Sequence, residues 1–221
     1  MGKFFNLDNP FWQALNTAVD MILVNMVYIL CCIPVVTIGA ATSALYTVSM
    51  KMAAREEDIY ALKCFFKAFA ANFKQATGIW LILLPVGAFL LADLFLVNVP
   101  DLSYLNWLHY VLLIILAYYI LIFSYIFALQ SRFQNTVRGI FRNAMLMAVA
   151  HLIPWSLLMG LSNVLPFLVI WYQPANLQYL IPLMLVCGFS VIAYVNSKIL
   201  NHILKKYTGK ENQGGTNNEE I

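Results

Sequence analysis

The stretch WLHYVLLIILAYYILIFSYIFAL, Trp107–Leu129, contains no Asp, Glu, Lys or Arg. An α-helix of about 20 predominantly apolar residues is long enough to cross the roughly 30 Å hydrocarbon core of a bilayer. The apolar residues are continuous and do not alternate with polar ones, which favours a helix over a barrel strand. Because backbone polar groups find no water in hydrocarbon, this stretch predicts an uninterrupted transmembrane helix.

The rest of the chain has the same character. It is 62% hydrophobic and 10% charged, whereas soluble domains carry about 25% charged residues. Four further apolar stretches have span length: Trp12–Cys32, Thr77–Val97, Ala144–Tyr172 and Tyr179–Asn196. We therefore predict an all-α, polytopic transmembrane helix bundle over residues 1–207, with Pro154 and Pro166 kinking the long fourth span. Residues 208–221 are polar and rich in Gly and Asn, which predicts a disordered cytoplasmic tail.

The segment VVTIGAATSALYTVSM, Val35–Met50, is less apolar and rich in small residues. It is either a short sixth span or a re-entrant or interfacial helix. Pro34 ends or kinks the preceding helix, and Thr37 and Gly39 belong to a run that permits very close helix packing. This run is either a tight turn with a packing face or a broken element lining a substrate cavity.

The distribution of charge predicts the topology. The connections Asn98–Asn106 and Gln173–Gln178 contain no Lys or Arg, whereas the other connections are basic. By the positive-inside rule the basic connections are cytoplasmic. If Val35–Met50 spans, all 13 Lys and Arg residues and both termini are cytoplasmic. About six spans are therefore preferred, with five spans and a re-entrant helix as the alternative.

The basic connections also have helical periodicity. In Leu62–Lys74, phenylalanines gather on one side of the helix and lysines on the other at about 100° per residue. This pattern is typical of an interfacial helix with its aromatic rings in the acyl boundary. Such helices either anchor the chain to the membrane surface or dock a partner. The residues concerned are Lys63, Lys67, Lys74, Arg138, Arg142, Lys205 and Lys206.

Polar residues inside spans are costly and by default suggest function. Asp20 has Asn16 one helical turn before it, so the pair could bind a cation, a proton or a sugar hydroxyl. Alternatively, Asp20 forms a hydrogen bond to another helix. His151 is a further candidate for binding a substrate or an ion, since it could titrate near neutrality; alternatively, it serves as an interhelical partner. Asparagines at 25, 163 and 196 predict interhelical hydrogen bonds.

Motifs for enzymatic chemistry are missing from the sequence. It has no G-x-x-x-x-G-K-[ST], H-E-x-x-H or G-x-S-x-G pattern. The four cysteines lack metal-ligand spacing, and a net charge of +3 is too small to argue for nucleic acid. We therefore expect a non-enzymatic protein without a metal or another cofactor, whose surroundings are the lipid bilayer.

Three runs resemble the YesL family of small bacterial membrane proteins, a domain of unknown function. They are CCIPVVTIGAATSALYTVSMKMAAREE (Cys31–Glu57), FFKAFAANFKQATGIWLILL (Phe65–Leu84) and SRFQNTVRGIFRNAM (Ser131–Met145). The resemblance extends to about Tyr207. It implies a bacterial plasma-membrane protein encoded beside carbohydrate ABC-transporter components, with permease subunits as partners. The resulting hypothesis is an accessory protein of carbohydrate transport; the alternative is an autonomous small-solute or ion permease.

Overall fold

The computed structural model describes residues 10–56, 60–97, 106–133, 135–150, 155–173 and 176–214, and these are helical apart from short connections. The helices are α1 (Pro10–Cys32), a 3-10 turn (Val35–Thr37), α2 (Ile38–Ala54), α3 (Ala61–Val97), α4 (Asn106–Arg132), α5 (Val137–Ala150), α6 (Leu157–Tyr172), α7 (Leu177–Leu183), a π-helical segment (Met184–Gly188) and α8 (Phe189–Gly214). The all-α class is confirmed.

Four helices in the described ranges are long and apolar enough to cross a membrane: Ala14–Cys32, Ala61–Asp93, Tyr110–Arg132 and Leu177–Leu204. This count of four does not show the six spans that the sequence favoured. Helix α2 has only 17 residues, and the apolar part of α6, Leu157–Pro166, is also short. In the predicted tail, α8 extends to Gly214, and residues 215–221 lie outside the described residues.

Helix α3 corrects one prediction about the cytoplasmic connections. The stretch Leu62–Lys74 is not a separate interfacial helix, because it runs without a break into Thr77–Val97 as one helix of 37 residues. Neither Gly nor Pro occurs between Ala61 and Thr77, so nothing in the sequence ends the helix. At 1.5 Å per residue the helix is about 55 Å long, well beyond the hydrocarbon thickness of roughly 30 Å.

The predicted fourth span, Ala144–Tyr172, contains parts of α5 and α6 on either side of residues 151–154, which lie outside the described residues. Helix α5 ends at Ala150 and α6 begins at Leu157. His151 and Pro154 lie between them, outside the described residues, and Pro166 lies within α6. The last predicted span, Tyr179–Asn196, combines α7, the π-helical segment and the first part of α8.

Helix α2 is the central element of the bundle, since it packs against α1, α3, α4 and α8. Its small residues make this possible: Ala40, Ala41 and Ala44 have no exposed surface. The closest approach is to α3, where a Cβ on Gly39 would lie 2.5 Å from the carbonyl oxygen of Ala76. Only glycine fits such a contact between two helix backbones.

Helices α1 and α2 form a hairpin whose tip reaches only partway along the bundle. The tip lies beside Trp80, whose indole nitrogen donates to the carbonyl of Val35 at 2.8 Å. The Trp80 ring in turn contacts Phe123 of α4, with centroids 6.1 Å apart. Beyond Trp80, α3 continues for about 25 Å to its last residue, Val97. The part of α4 between its first residue, Asn106, and Phe123 has the same length.

Candidate functional site

The hairpin tip brings together the small-residue positions singled out in the sequence. The Thr37 hydroxyl donates to the carbonyls of Cys31 and Pro34, at 2.6 and 2.7 Å. With the Trp80 bond to Val35, these contacts satisfy backbone carbonyls that the turn leaves outside regular helix. The exposed side chains of this turn are apolar, with Ile33 72% and Val35 57% exposed. An apolar tip with satisfied carbonyls is suited to hydrocarbon rather than to water.

The Asn25 side chain connects α1 to the π-helical segment. Its amide nitrogen donates to the carbonyls of Met184 and Leu185, at 3.0 and 2.8 Å. Its amide oxygen accepts from the backbone nitrogen of Ser190 at 3.0 Å. Since a π-helical bulge interrupts the regular α-helical ladder, Asn25 supplies hydrogen bonds where the main chain departs from that ladder. The side chain is completely buried, and the predicted interhelical role is confirmed.

The other two asparagines also hydrogen-bond between helices, as predicted. Asn196 on α8 donates to the Tyr46 hydroxyl on α2 at 3.1 Å and accepts from Ser162 on α6 at 2.7 Å. Asn163 donates to Ser124 on α4 at 2.9 Å. These bonds lie inside an apolar bundle, where polar contacts between helices contribute about 0.6–2 kcal/mol each.

Four buried residues have side-chain polar atoms without a hydrogen-bond partner among the described residues. They are Ser43 on α2, Thr77 on α3, Gln130 on α4 and Ser197 on α8. Helices α3, α4 and α8 all pack against α2. Gln130 is 4% exposed, and both its amide nitrogen and its amide oxygen lack a partner. Each such group requires an explanation, because unpaired buried polar groups are rare. Nothing in the hydropathy of the sequence distinguished these four residues from ordinary span residues.

The predicted solute site on α1 is only partly enclosed. Asp20 is half-buried, whereas Asn16 is exposed. His151, the third residue proposed for this role, lies outside the described residues, and its part in the site stays a prediction. In the described ranges no group of three or more His, Cys, Asp or Glu side chains could hold a metal ion.

The basic side chains on α3 and α5 are exposed. This holds for Lys63, Lys67, Lys74, Arg138 and Arg142. The structure describes the backbone of α8 at Lys205 and Lys206 but not their side chains.

The aromatic face of Leu62–Lys74 differs from the prediction. Phe65 has no exposed surface and belongs to the protein core, whereas Phe66 is 52% and Phe73 38% exposed. Phenylalanines predicted to enter the acyl boundary are thus divided between the core and the outer surface. The stripe cannot be interpreted as lipid-facing throughout, because α2 covers part of α3.

Two cavities lie along α5. The first, of about 640 Å³, is lined by Thr136, Arg138, Gly139, Phe141, Arg142 and Met145. The second, of about 420 Å³, is lined by Leu129, Phe133, Asn135, Asn143, Leu146, Met147, Ala150 and Leu204. Arg138 and Arg142 thus belong to the described lining of the first cavity, whereas no charged residue is found in that of the second.

Together these features define a helical protein with four candidate membrane spans, a buried polar interior and an exposed basic surface. A family model described as "Protein of unknown function, DUF624" matches residues 21–94. This segment covers most of α1, the hairpin turn, α2 and most of α3. The match supports a domain of unknown function, and the resemblance to the YesL family stays a prediction. No curated protein and no solved structure matched the chain.

Proposed function

We propose that this protein is a non-enzymatic membrane component that acts through its basic cytoplasmic surface, as an accessory subunit of carbohydrate ABC transport. The observation that carries the proposal is the row of exposed lysines, Lys63, Lys67 and Lys74, on the part of α3 that packs beside α2. Because α3 is about 55 Å long, this part projects beyond the hydrocarbon core. Exposed aromatic rings are typical of protein interfaces, and the lysines beside them can steer an oppositely charged partner to the membrane surface.

The arrangement in the membrane that fits these contacts has four crossings and one hairpin. Helices α3, α4, α5 with α6, and α7 with α8 cross the bilayer, while α1 and α2 enter it and return to the cytoplasmic side. Two contacts support this arrangement. The tip sits beside Trp80, and α3 and α4 extend about 25 Å past it. A hairpin that returns also keeps all 13 Lys and Arg residues and both termini cytoplasmic.

Residue Val36 at the hairpin tip tests this topology. In a variant without native cysteines, Val36→Cys should resist a membrane-impermeant maleimide added from outside, because the tip lies within the bilayer. Ser103→Cys, in the connection assigned to the outside, is the matched control and should react. Labelling of the Val36 cysteine from outside, at the rate of the control, would instead support the six-span arrangement.

A second function, solute or ion permeation, is favoured by one observation. Ser43, Thr77, Gln130 and Ser197 present polar atoms inside the bundle that have no partner among the described residues, and polar groups in membrane helices often mark solute pathways. Half-buried Asp20 on α1 is a further candidate for such a pathway.

Two experiments separate these functions. In affinity purification from native membranes, wild type should retain ABC permease subunits, and Lys63→Glu with Lys67→Glu should lose them. Lys198→Glu, an exposed lysine on α8, is the control and should retain the subunits. In proteoliposomes containing only the purified chain, the accessory role predicts no sugar or ion flux. Flux that falls in a Gln130→Leu variant would favour permeation and contradict the accessory role.

A further inference from the structure

Helix α5 is a short amphipathic helix at the cytoplasmic side of α4. It packs on α4 and buries Ile140, Ala144 and Ala148. Thr136 precedes its first residue, and the Thr136 hydroxyl accepts a hydrogen bond from the backbone nitrogen of Gly139 at 3.3 Å. This is a typical N-terminal cap. The cap gives α5 a defined start, so the side chains of its first two turns are held in fixed relative positions.

Arg138 and Arg142 are one turn apart on the exposed side of α5. Like charges at this spacing repel one another, and no carboxylate among the described residues forms an ion pair with either arginine. In the described part of the chain the ion pair found is Lys51 with Glu56, at 3.7 Å. The sequence itself contains neither Asp nor Glu between Asp101 and Glu211. The cationic pair therefore lies in a long acid-free stretch, which favours an anion from outside the chain.

The cavity next to these arginines is amphipathic. Its described lining combines the two arginines with the hydroxyl-bearing Thr136 and the apolar Phe141 and Met145. A small soluble anion would use only the charged part of this lining. Its volume of about 640 Å³ also exceeds that of a single phosphate group, so a larger ligand with both polar and apolar parts fits it better.

The exposed surface of α5 becomes apolar toward its C-terminal end. Met145, Leu146 and Val149 are 46%, 61% and 60% exposed. Val149 follows Arg142 by seven residues, or about 10 Å along the helix. The side chains thus change from charged to apolar over the distance that separates a lipid phosphate from the upper acyl chain.

We propose that the cavity lined by Arg138 and Arg142 binds the phosphodiester headgroup of an anionic phospholipid, whose acyl chains lie along Met145 and Val149. Guanidinium groups match phosphate oxygens geometrically and remain charged at physiological pH. The second cavity, across α5, lacks a described charged lining residue and does not bind the headgroup. This proposal rests on the proposed function in one respect, namely the orientation that places α5 at the cytoplasmic leaflet.

Lipid binding to the purified full-length protein tests the proposal. By native mass spectrometry, wild type should retain added phosphatidylglycerol over phosphatidylcholine by about tenfold or more, as expected from two charged contacts. Arg138→Gln with Arg142→Gln should abolish most of this preference, and Arg138→Lys with Arg142→Lys should keep much of it. The control, Lys198→Gln, removes an exposed charge of α8 that belongs to neither proposed surface and should retain the wild-type preference.

Three outcomes would overturn the proposal. The first is equal binding of the two lipids by wild type, which needs no variant and is independent of folding defects. The second is displacement of phosphatidylglycerol by millimolar inorganic phosphate as effectively as by excess lipid, which would indicate a soluble-anion site. The third is loss of co-purifying permease subunits, without any change in lipid preference, in the Arg→Gln variant, which would indicate a protein-docking surface. Loss of lipid preference with retained subunits would leave the accessory function intact.

Discussion

Replacing Gly39 with alanine tests the contact between α2 and α3 at the hairpin tip. The added Cβ would lie 2.5 Å from the Ala76 carbonyl oxygen and 2.6 Å from the Cβ of Trp80. Both atoms belong to a helix or are attached directly to it, so a rotamer change cannot make room. Reaching an ordinary contact of 3.4 Å requires the helices to separate by about 0.9 Å. Overpacking of this kind costs roughly 1–3 kcal/mol.

Gly78 on α3 is the matched control, because a Cβ there would meet no atom within 4 Å. Gly78→Ala should gain up to about 1 kcal/mol from helix propensity. Gly39→Ala shares at most that gain, so the difference between the two free energies of unfolding isolates the steric cost. We take this steric cost as about 2 kcal/mol. In a chain of this size each kcal/mol of lost stability lowers the melting temperature by about 2–4 °C, so Gly39→Ala should melt roughly 4–8 °C below Gly78→Ala.

Thermal unfolding in detergent, followed by the loss of the monodisperse peak in size-exclusion chromatography, measures this difference. If both variants melt at the same temperature, the backbones of α2 and α3 do not approach as described. That result would also weaken the proposed depth of the hairpin tip in the bilayer, since the contacts of Gly39 with Ala76 and Trp80 are part of the argument for it.

Three further substitutions test the polar contacts. Asn25→Leu removes four hydrogen bonds to the π-helical segment and the start of α8 and should destabilise the protein by about 2–4 kcal/mol in SDS-induced unfolding. Exposed Asn16 on the same helix is the control, and a Leu there should change stability by less than about 0.5 kcal/mol. Trp80→Phe keeps an aromatic ring but loses the bond to the hairpin turn, so the unfolding free energy should fall by about 1 kcal/mol, and an unchanged value would contradict that bond. The hydroxyls of Tyr125 and Ser156 form a buried hydrogen bond of 2.9 Å. Tyr125→Phe removes this bond and should lower the thermal midpoint of unfolding by a few degrees; a stabilised protein would refute the pairing.

The sequence predicted local structure well, because hydropathy and helical period are local properties. The apolar run Trp107–Leu129 lies within α4, and Trp12–Cys32 lies within α1. The sequence was less successful with helix ends. It separated Leu62–Lys74 from Thr77–Val97 because the polarity changes there, although no residue that ends a helix marks the change.

The candidate sites were predictable to different degrees. The exposed positions of Arg138 and Arg142 follow from their charge, and their common face follows from their spacing. The Gln130 amide, which has no partner among the described residues, could not be anticipated, because a glutamine near the end of an apolar run is equally consistent with an exposed position at the membrane surface.

The sequence by itself determined that this is a chain of apolar helices with its basic residues on connections assigned to one side of the membrane. Only the tertiary structure decided which faces of those helices are buried against other helices and which are exposed. Lipid tails are as apolar as a helix interface, so hydropathy does not distinguish the two. The same reason explains why Phe65 and Phe66, adjacent in the sequence, have opposite environments. It also explains why the depth of the α1–α2 hairpin depends on contacts that join Val35 to Trp80, 45 residues apart.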